Sequence, residues 1–136
     1  MSAIRNGLHD HLTGDATLTA LLPDGAAGVF ADAERPAGVS LPCVQIMPAV
    51  SSEIVDGDGA IDETRPIRVL AEATGDDAAV DAVADRVRAL FSADIAGLMF
   101  SGYSSGSVRV SGPVEADPSA DWYGRLISVR LILFPE

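Results

Sequence analysis

The segment Trp122–Phe134 constrains the fold of this 136-residue chain more than any other, because its apolar side chains recur at every second position. The aliphatic set is Ile127, Val129, Leu131 and Leu133, and the set between them is Ser128, Arg130 and Ile132. A period of two places successive side chains on opposite faces of a β-strand. The pattern therefore predicts a strand with one face buried in a core and a more polar face opposite.

A second periodic segment, Asp76–Phe91, predicts a helix. Its apolar residues recur at three- and four-residue spacing, which forms one stripe on a helix: Val80, Val83, Ala84, Val87 and Leu90. Thr74 is placed to cap this helix, with Asp77 three residues later. Acids in the first turn, and Arg86 and Arg88 near the end, suit the helix dipole. We expect the helix to cover one face of a sheet.

The rest of the chain predicts shorter elements. The first third holds a helix around Ile4–Leu12, a second helix that Asp15 caps and Pro23 helps to end, a small strand at Val29-Phe30 and a strand at Cys43–Met47. Further strands are predicted at Thr64–Ala73, Leu98–Tyr103 and Ser107–Ser111, with a soft break at Ser104-Ser105-Gly106 and an end at Gly112-Pro113. The element order predicts one domain over residues 1–136, of the α+β class, in which helices pack on one face of a mostly antiparallel sheet.

The charge balance restricts the partners of the chain. Its 20 acids outnumber 9 bases, all of them Arg, and the formal net charge is −11. Such a charge repels nucleic-acid phosphates and anionic membrane surfaces, so DNA binding by phosphate neutralisation is disfavoured. No apolar run approaches the ~20 residues of a membrane-spanning helix. The first residues also lack the apolar stretch of a signal peptide, so synthesis in the cytoplasm is expected.

Residue types that usually carry chemistry are few and scattered. His9 and His11 point to different faces of the first helix, and we interpret them as surface histidines and not as metal ligands. Cys43 is the only cysteine, which excludes an intrachain disulfide and favours a small buried hydrophobe. The run Asp56-Gly57-Asp58-Gly59 lacks the oxygen ligands that a calcium loop needs at its fifth and twelfth positions. The sequence predicts no catalytic, cofactor or metal site.

Two groups of residues are predicted to make protein contacts instead. The segment Pro48–Asp62 is long for a connection between paired strands, so we interpret it as a long loop or a mobile hairpin tip that makes contacts or lines a channel. Its acids are Glu53, Asp56, Asp58 and Asp62. The second group is predicted to meet a neighbouring subunit, and consists of Arg65, Arg68, Arg130 and Trp122. A core position for Trp122 is an equally open alternative.

The order of these elements resembles the tail-completion, or tail-terminator, family of long-tailed bacteriophages and related prophages. The matching pieces are Asp15–Leu22 with its Leu-x-Ala-Leu-Leu core, Leu41-Pro42-Cys43-Val44, the strand Arg65–Glu72, the helix Asp76–Phe91 and the strand Arg125–Phe134. The resemblance implies a structural virion subunit without catalytic residues, which forms a ring, typically a hexamer, at the head–tail junction. Such a ring caps the tail tube, meets the tube protein and the head-completion proteins, and lets DNA pass without specific binding.

Two other interpretations stay open. One is a different neck protein, such as a head-completion or stopper subunit, which belongs to the same class of assembly proteins. The other is a small enzyme or ligand-binding α+β domain, which would require a pocket with clustered titratable groups.

Overall fold

The computed structural model of the chain describes residues 3–31, 37–54, 57, 59–72, 77–117, 119 and 121–136. Within these residues the helices are α1 (Ala3–Thr13), α2 (Ala16–Leu21) and α3 (Asp77–Leu90), with a 3-10 turn at Gly25–Gly28. The strands are β1 (Val29–Ala31), β2 (Cys43–Ile46), β3 (Ser51–Ile54), β4 (Ile61–Ala71), β5 (Tyr103–Glu115) and β6 (Tyr123–Pro135). Helices and a mixed, mostly antiparallel sheet confirm the predicted α+β class.

The strands form one sheet in the order β1-β2-β4-β6-β5. The pair β1–β2 is parallel, and the other neighbouring pairs are antiparallel. Because β6 occupies one edge of β4 along its whole length, β2 and β3 share the other edge, opposite residues 67–70 and 61–64 respectively. The strands β3 and β5 therefore lie at opposite sides of the sheet. Within the described residues, each has a single neighbouring strand.

The core lies between the inner face of the sheet and the helices. The helix α3 packs across β4, β5 and β6, while α1 contacts β1 and β2. All five residues of the predicted stripe on α3 are buried, and so are the four aliphatic residues that alternate in β6. Burying one such side chain contributes about 1.5–3 kcal/mol. Both periodic predictions are therefore confirmed, and together they supply much of the single core.

Of the two helix caps predicted from the sequence, one lies within the described residues. Asp15 caps α2 as predicted, because its Oδ2 accepts a hydrogen bond from the backbone N–H of Leu18 at 2.8 Å. The predicted cap of α3 by Thr74 lies outside the described residues. At the other end of α3, the carbonyl of Leu90 lies 2.6 Å from Nε2 of His11, which joins α1 to α3.

The strand β5 departs most from the prediction. It runs without interruption from Tyr103 to Glu115, although the sequence predicted a break at 104–106 and an end at Gly112. Irregular register between Ser105 and Ser107, and between Ser111 and Val114, absorbs these residues as bulges. Gly112 adopts a φ of 89°, which suits its place in the second bulge. The predicted strand at 98–103 was wrong for 98–102, since 98–99 have no regular structure and 101–102 form a turn that one Phe100–Tyr103 bridge closes.

Candidate assembly interface

The outer face of the sheet is the face turned away from α3. Alternation along the strands divides the side chains cleanly, because odd-numbered positions of β4 from 63 to 71 are buried and even-numbered positions are only half-buried. The described outer-face residues include Asp62, Thr64, Pro66 and Arg68 of β4, Leu126, Ser128, Arg130 and Ile132 of β6, and Arg109 and Ser111 of β5. A sheet face of this kind, with mixed apolar and charged side chains, is suited to protein contact.

A row of four charged residues crosses the outer face from β3 to β5. Glu53 is the register partner of Asp62, and Arg109 is the register partner of Arg130. Arg130 joins the two halves, with Nη2 2.6 Å from Oδ2 of Asp62 and Nε 3.0 Å from Oδ1. Because these hydrogen bonds favour both charged forms, they lower the pKa of Asp62 and raise the pKa of Arg130. This row, Glu53–Asp62–Arg130–Arg109, is called the charged row below.

The structure corrects part of the predicted loop Pro48–Asp62, at the acidic end of the charged row. Residues 51–54 form β3 and pair with 64–61 of β4, so Glu53 and Asp62 lie in paired strands and not in a loop. The strand β3 was not predicted because all four of its residues are exposed, which leaves no alternation of apolar and polar side chains. The remaining two acids of the predicted loop, Asp56 and Asp58, lie outside the described residues.

An apolar groove of about 320 Å³ opens on the outer face, beside the break between β2 and β3. The half-buried indole of Trp122 borders it, and the guanidinium carbon of Arg68 lies 4.8 Å from the ring centroid. This distance is typical of a cation–π contact. The other lining residues are Met47, Pro48, Val50, Pro66, Asp117 and Leu126. Trp122 is therefore neither a core residue nor fully exposed, and the sequence had left both positions open.

Arg65 lies apart from the other predicted contact residues. Its side chain is on the inner face, where Nε is 2.7 Å from Oε2 of Glu63, and both residues are buried. Ser52 also donates a hydrogen bond from its hydroxyl to Oε1 of Glu63 at 3.1 Å. Removing one partner of a buried ion pair leaves an uncompensated charge, which is strongly destabilising. Arg65 therefore stabilises the inner face of β4 through a buried ion pair. Arg68 and Arg130, in contrast, reach the outer face.

Two further arginines join the helices to the rest of the chain, and sequence reasoning missed both links. Arg86 of α3 binds Asp15 and Asp94, with nitrogen–oxygen distances of 2.7 and 2.6 Å. Arg125 of β6 places Nε 2.8 Å from Oδ1 of Asp81 in α3. Arg86 and Asp15 are 71 residues apart in the chain, so no local pattern indicates their contact.

The comparison with known protein families gives a direct result. The family model described as "Tail completion protein gp17" matches residues 6–132, which include all but the ends of the described elements. The chain belongs to the phage tail-completion family. This assignment agrees with the resemblance in the sequence and indicates a structural role in completing a phage tail. A comparison with curated protein sequences found no match to the chain.

In this tail-completion protein the residue types that often carry chemistry have structural partners. The ring N–H at Nε2 of His9 donates to the carbonyl of Val29 at 3.2 Å, and both histidines are half-buried and tie α1 to other elements. Both still reach the surface, with the side chain of His9 39% exposed, so they are surface histidines with structural hydrogen bonds. Cys43 is fully buried in β2, as predicted. In the described part of the tail-completion protein, no three His, Cys, Asp or Glu residues are grouped as a metal site would require.

The tail-completion protein also has an open cavity of about 660 Å³ between α1 and the end of α3. Its polar lining includes Asp15, Arg86 and Asp94, which are joined to one another by the two ion pairs described above. No described helix is long and apolar enough to cross a membrane. The outer face, with its charged row and apolar groove, is therefore the surface of the tail-completion protein best suited to assembly.

Proposed function

We propose that this chain is a single tail-completion domain, over residues 1–136, that forms a ring at the head–tail junction. Six copies close the ring, which caps the finished tail tube and stops its growth. One side of the ring meets the tube protein, and the other meets the head-completion proteins of the neck. The chain acts as a structural virion protein and not as an enzyme, after synthesis in the host cytoplasm.

The match to the tail-completion family over residues 6–132 is the observation that carries this proposal. The sheet supports it, because a ring subunit needs two different surfaces that fit each other from head to tail. The strands β3 and β5 border opposite sides of the sheet, and the groove and charged row lie between them. Glu53, Arg68, Trp122 and Arg130 are the residues we assign to this contact.

The charge of the chain fits a channel through which DNA passes without binding. Six copies at −11 each would carry a formal charge of −66. Carboxylates facing a channel repel phosphates, so DNA would slide without adhering to the wall. The acids Asp56 and Asp58, which follow β3 in the sequence, are assigned to this channel or to the contact with an adjacent ring.

Growth of tail tubes in vitro tests the proposal. The tube protein is allowed to polymerise with and without this chain, and negative-stain images give the tube lengths and the structures at the tube ends. We expect shorter tubes with a ring of six subunits at one end. The variant Val87→Asp, whose fold should be disrupted, serves as the inactive control.

A different neck protein gives a different result in the same experiment. A head-completion or stopper subunit would leave tube length unchanged and would bind only to tubes that already carry a terminator. Tubes of unchanged length without rings would overturn the proposed function.

A further inference from the structure

Each end residue of the charged row faces a like charge on the neighbouring strand of the same copy. Arg109 is exposed, forms no salt bridge with the described residues, and faces the like charge of Arg130 across the strand pair. Glu53 is exposed on β3 and faces the like charge of Asp62. Its charge helps to raise the pKa of Arg130, but the hydrogen bonds of Arg130 on this face go to Asp62. Like charges directly opposite each other destabilise a sheet. An acid placed beside Arg109, and a base placed beside Glu53, would remove both penalties.

The strands that carry these residues have open edges. Within the described residues, β3 pairs only with β4, and β5 pairs only with β6. Unpaired strand edges present backbone donors and acceptors that another strand can bind. Between its two bulges β5 offers residues 107–111, which are enough to cover the 4 residues of β3.

One antiparallel register satisfies both strands. Placing Glu53 opposite Arg109 sets Ser51 against Ser111, Ser52 against Val110, and Ile54 against Val108. Glu53 and Arg109 then lie on the same outer face, because both belong to the charged row.

The apolar partners also match in this register. Ile54 is 73% exposed in one copy, and Val108 packs at the margin of the core, so their contact would bury apolar surface. Val114, which is 55% exposed, would approach the groove beside Pro48 in the same arrangement. A pairing chosen for charge alone thus also improves the apolar contacts.

We propose that β5 of one copy adds to the edge of β3 in the next copy, antiparallel, with Arg109 bound to Glu53. The contact joins two different edges, so each copy keeps one edge open for the following copy until the ring closes. The inference rests on the proposed ring, and it specifies which strands form the subunit boundary.

Charge reversal tests the pairing. The variants Glu53→Arg and Arg109→Glu each place like charges across the boundary, and we expect each to weaken association by about tenfold or more. The double variant restores an opposite pair and should return association to within about twofold of the wild type. Asp85→Arg, on the exposed face of α3, changes the charge equally and should have no effect. Native mass spectrometry gives the ring fraction, and circular dichroism confirms that each variant is folded.

A disulfide test locates the strands directly. In the variant Ser51→Cys/Ser111→Cys, the two positions of one copy are separated by three strand spacings, about 14 Å, which is too far for a disulfide. Oxidation should therefore link different copies and give a ladder of covalent oligomers that stops at the ring size. Ser51→Cys alone should remain monomeric on a denaturing gel, since two β3 strands do not meet.

The outcomes separate this inference from the proposed function. If rings form but withstand both charge reversals, or if Ser51→Cys alone gives covalent dimers, the strand pairing is wrong while the ring stands. If the wild type forms no ring even with tail tubes present, both proposals fail.

Discussion

The carboxylate of Asp15 accepts two hydrogen bonds from the guanidinium of Arg86, at 2.8 and 2.7 Å. The same carboxylate caps α2 through the backbone N–H of Leu18. One side chain therefore both begins a short helix and fixes it against α3. Since a six-residue helix is marginal in isolation, α2 depends on this attachment.

Asp15→Ala should destabilise the chain measurably. Loss of the N-cap alone costs about 0.5–2 kcal/mol, and the ion pair with Arg86 is lost as well. Asp15→Asn keeps a capping oxygen but removes the charge, so its melting temperature should lie between those of the wild type and Asp15→Ala. Thermal unfolding followed by circular dichroism gives the three values. Equal melting temperatures for all three proteins would contradict the role of Asp15, and Asp85→Ala is the exposed control.

Acid should weaken the fold through the same residue. Hydrogen bonds from Arg86 lower the pKa of Asp15 below its ordinary value of 3.8. A carboxyl whose pKa is lower in the folded state contributes stability that is complete above its unfolded pKa and disappears as the pH falls through the folded pKa. The melting temperature should therefore fall below about pH 4, and Asp15→Asn should fall less steeply. Parallel curves for the two proteins would exclude Asp15 as a source of the acid sensitivity.

Val83→Asp and Val87→Asp should each unfold the domain or nearly so. Both side chains are buried on the inner face of α3, and an unpaired buried carboxylate costs several kcal/mol, a large part of typical domain stability. Ala82→Asp places the same charge on the exposed face of the same helix and should leave the melting temperature almost unchanged. Denaturant unfolding of the three variants measures the difference, and a stable Val87→Asp protein would show that α3 does not pack as described.

Gly7→Ala should lower the melting temperature, although alanine is the better helix former by about 1 kcal/mol. A Cβ at Gly7 would collide with the carbonyl oxygen of Met99 and the ring of Phe100, which pack closely against α1. Gly57→Ala is the control, because a Cβ there meets no atom within 4 Å. If Gly7→Ala stabilised the chain, the close packing of α1 against residues 99–100 would be refuted.

The double variant Asp56→Asn/Asp58→Asn, which neutralises two acids that follow β3 in the sequence, should leave folding intact and change assembly or DNA passage. Ring formation on tail tubes and release of packaged DNA are the measurements. The competing calcium interpretation expects a melting temperature that rises with added calcium in the wild type but not in the double variant. A clear rise of this kind would replace the contact interpretation of these acids with a metal site.

Periodic segments of the sequence were sufficient to predict the core. The stripe of α3 and the alternation of β6 report burial on one side, and burial is a local property of each segment. The strand β3 lacked this signal because its residues are exposed on both faces. Its pairing with β4 depends on a neighbouring strand that no local pattern describes.

The candidate interface was predictable only in part. Glu53, Asp62 and Arg130 stood out from the sequence as charges beside predicted strands. Arg109 did not, because its position opposite Arg130 depends on two bulges in β5 that set the register. The burial of Arg65 was not predicted either, although it shares its face of β4 with apolar residues, because a buried arginine requires a partner and the pairing with Glu63 had not been recognised.

The ladder between β4 and β6 has a consequence for how the chain folds. Its register partners run from Ile61–Leu133 to Ala71–Tyr123, with α3 and β5 in the intervening sequence. Contacts between such distant residues raise the contact order, which slows folding because long loops must close first. β6 is also the strand between β4 and β5, so a nascent chain cannot join the two halves of the sheet before β6 has been synthesised. An incomplete chain would therefore lack the continuous sheet that carries both the β3 edge and the β5 edge. Only finished subunits would be competent to enter an assembly.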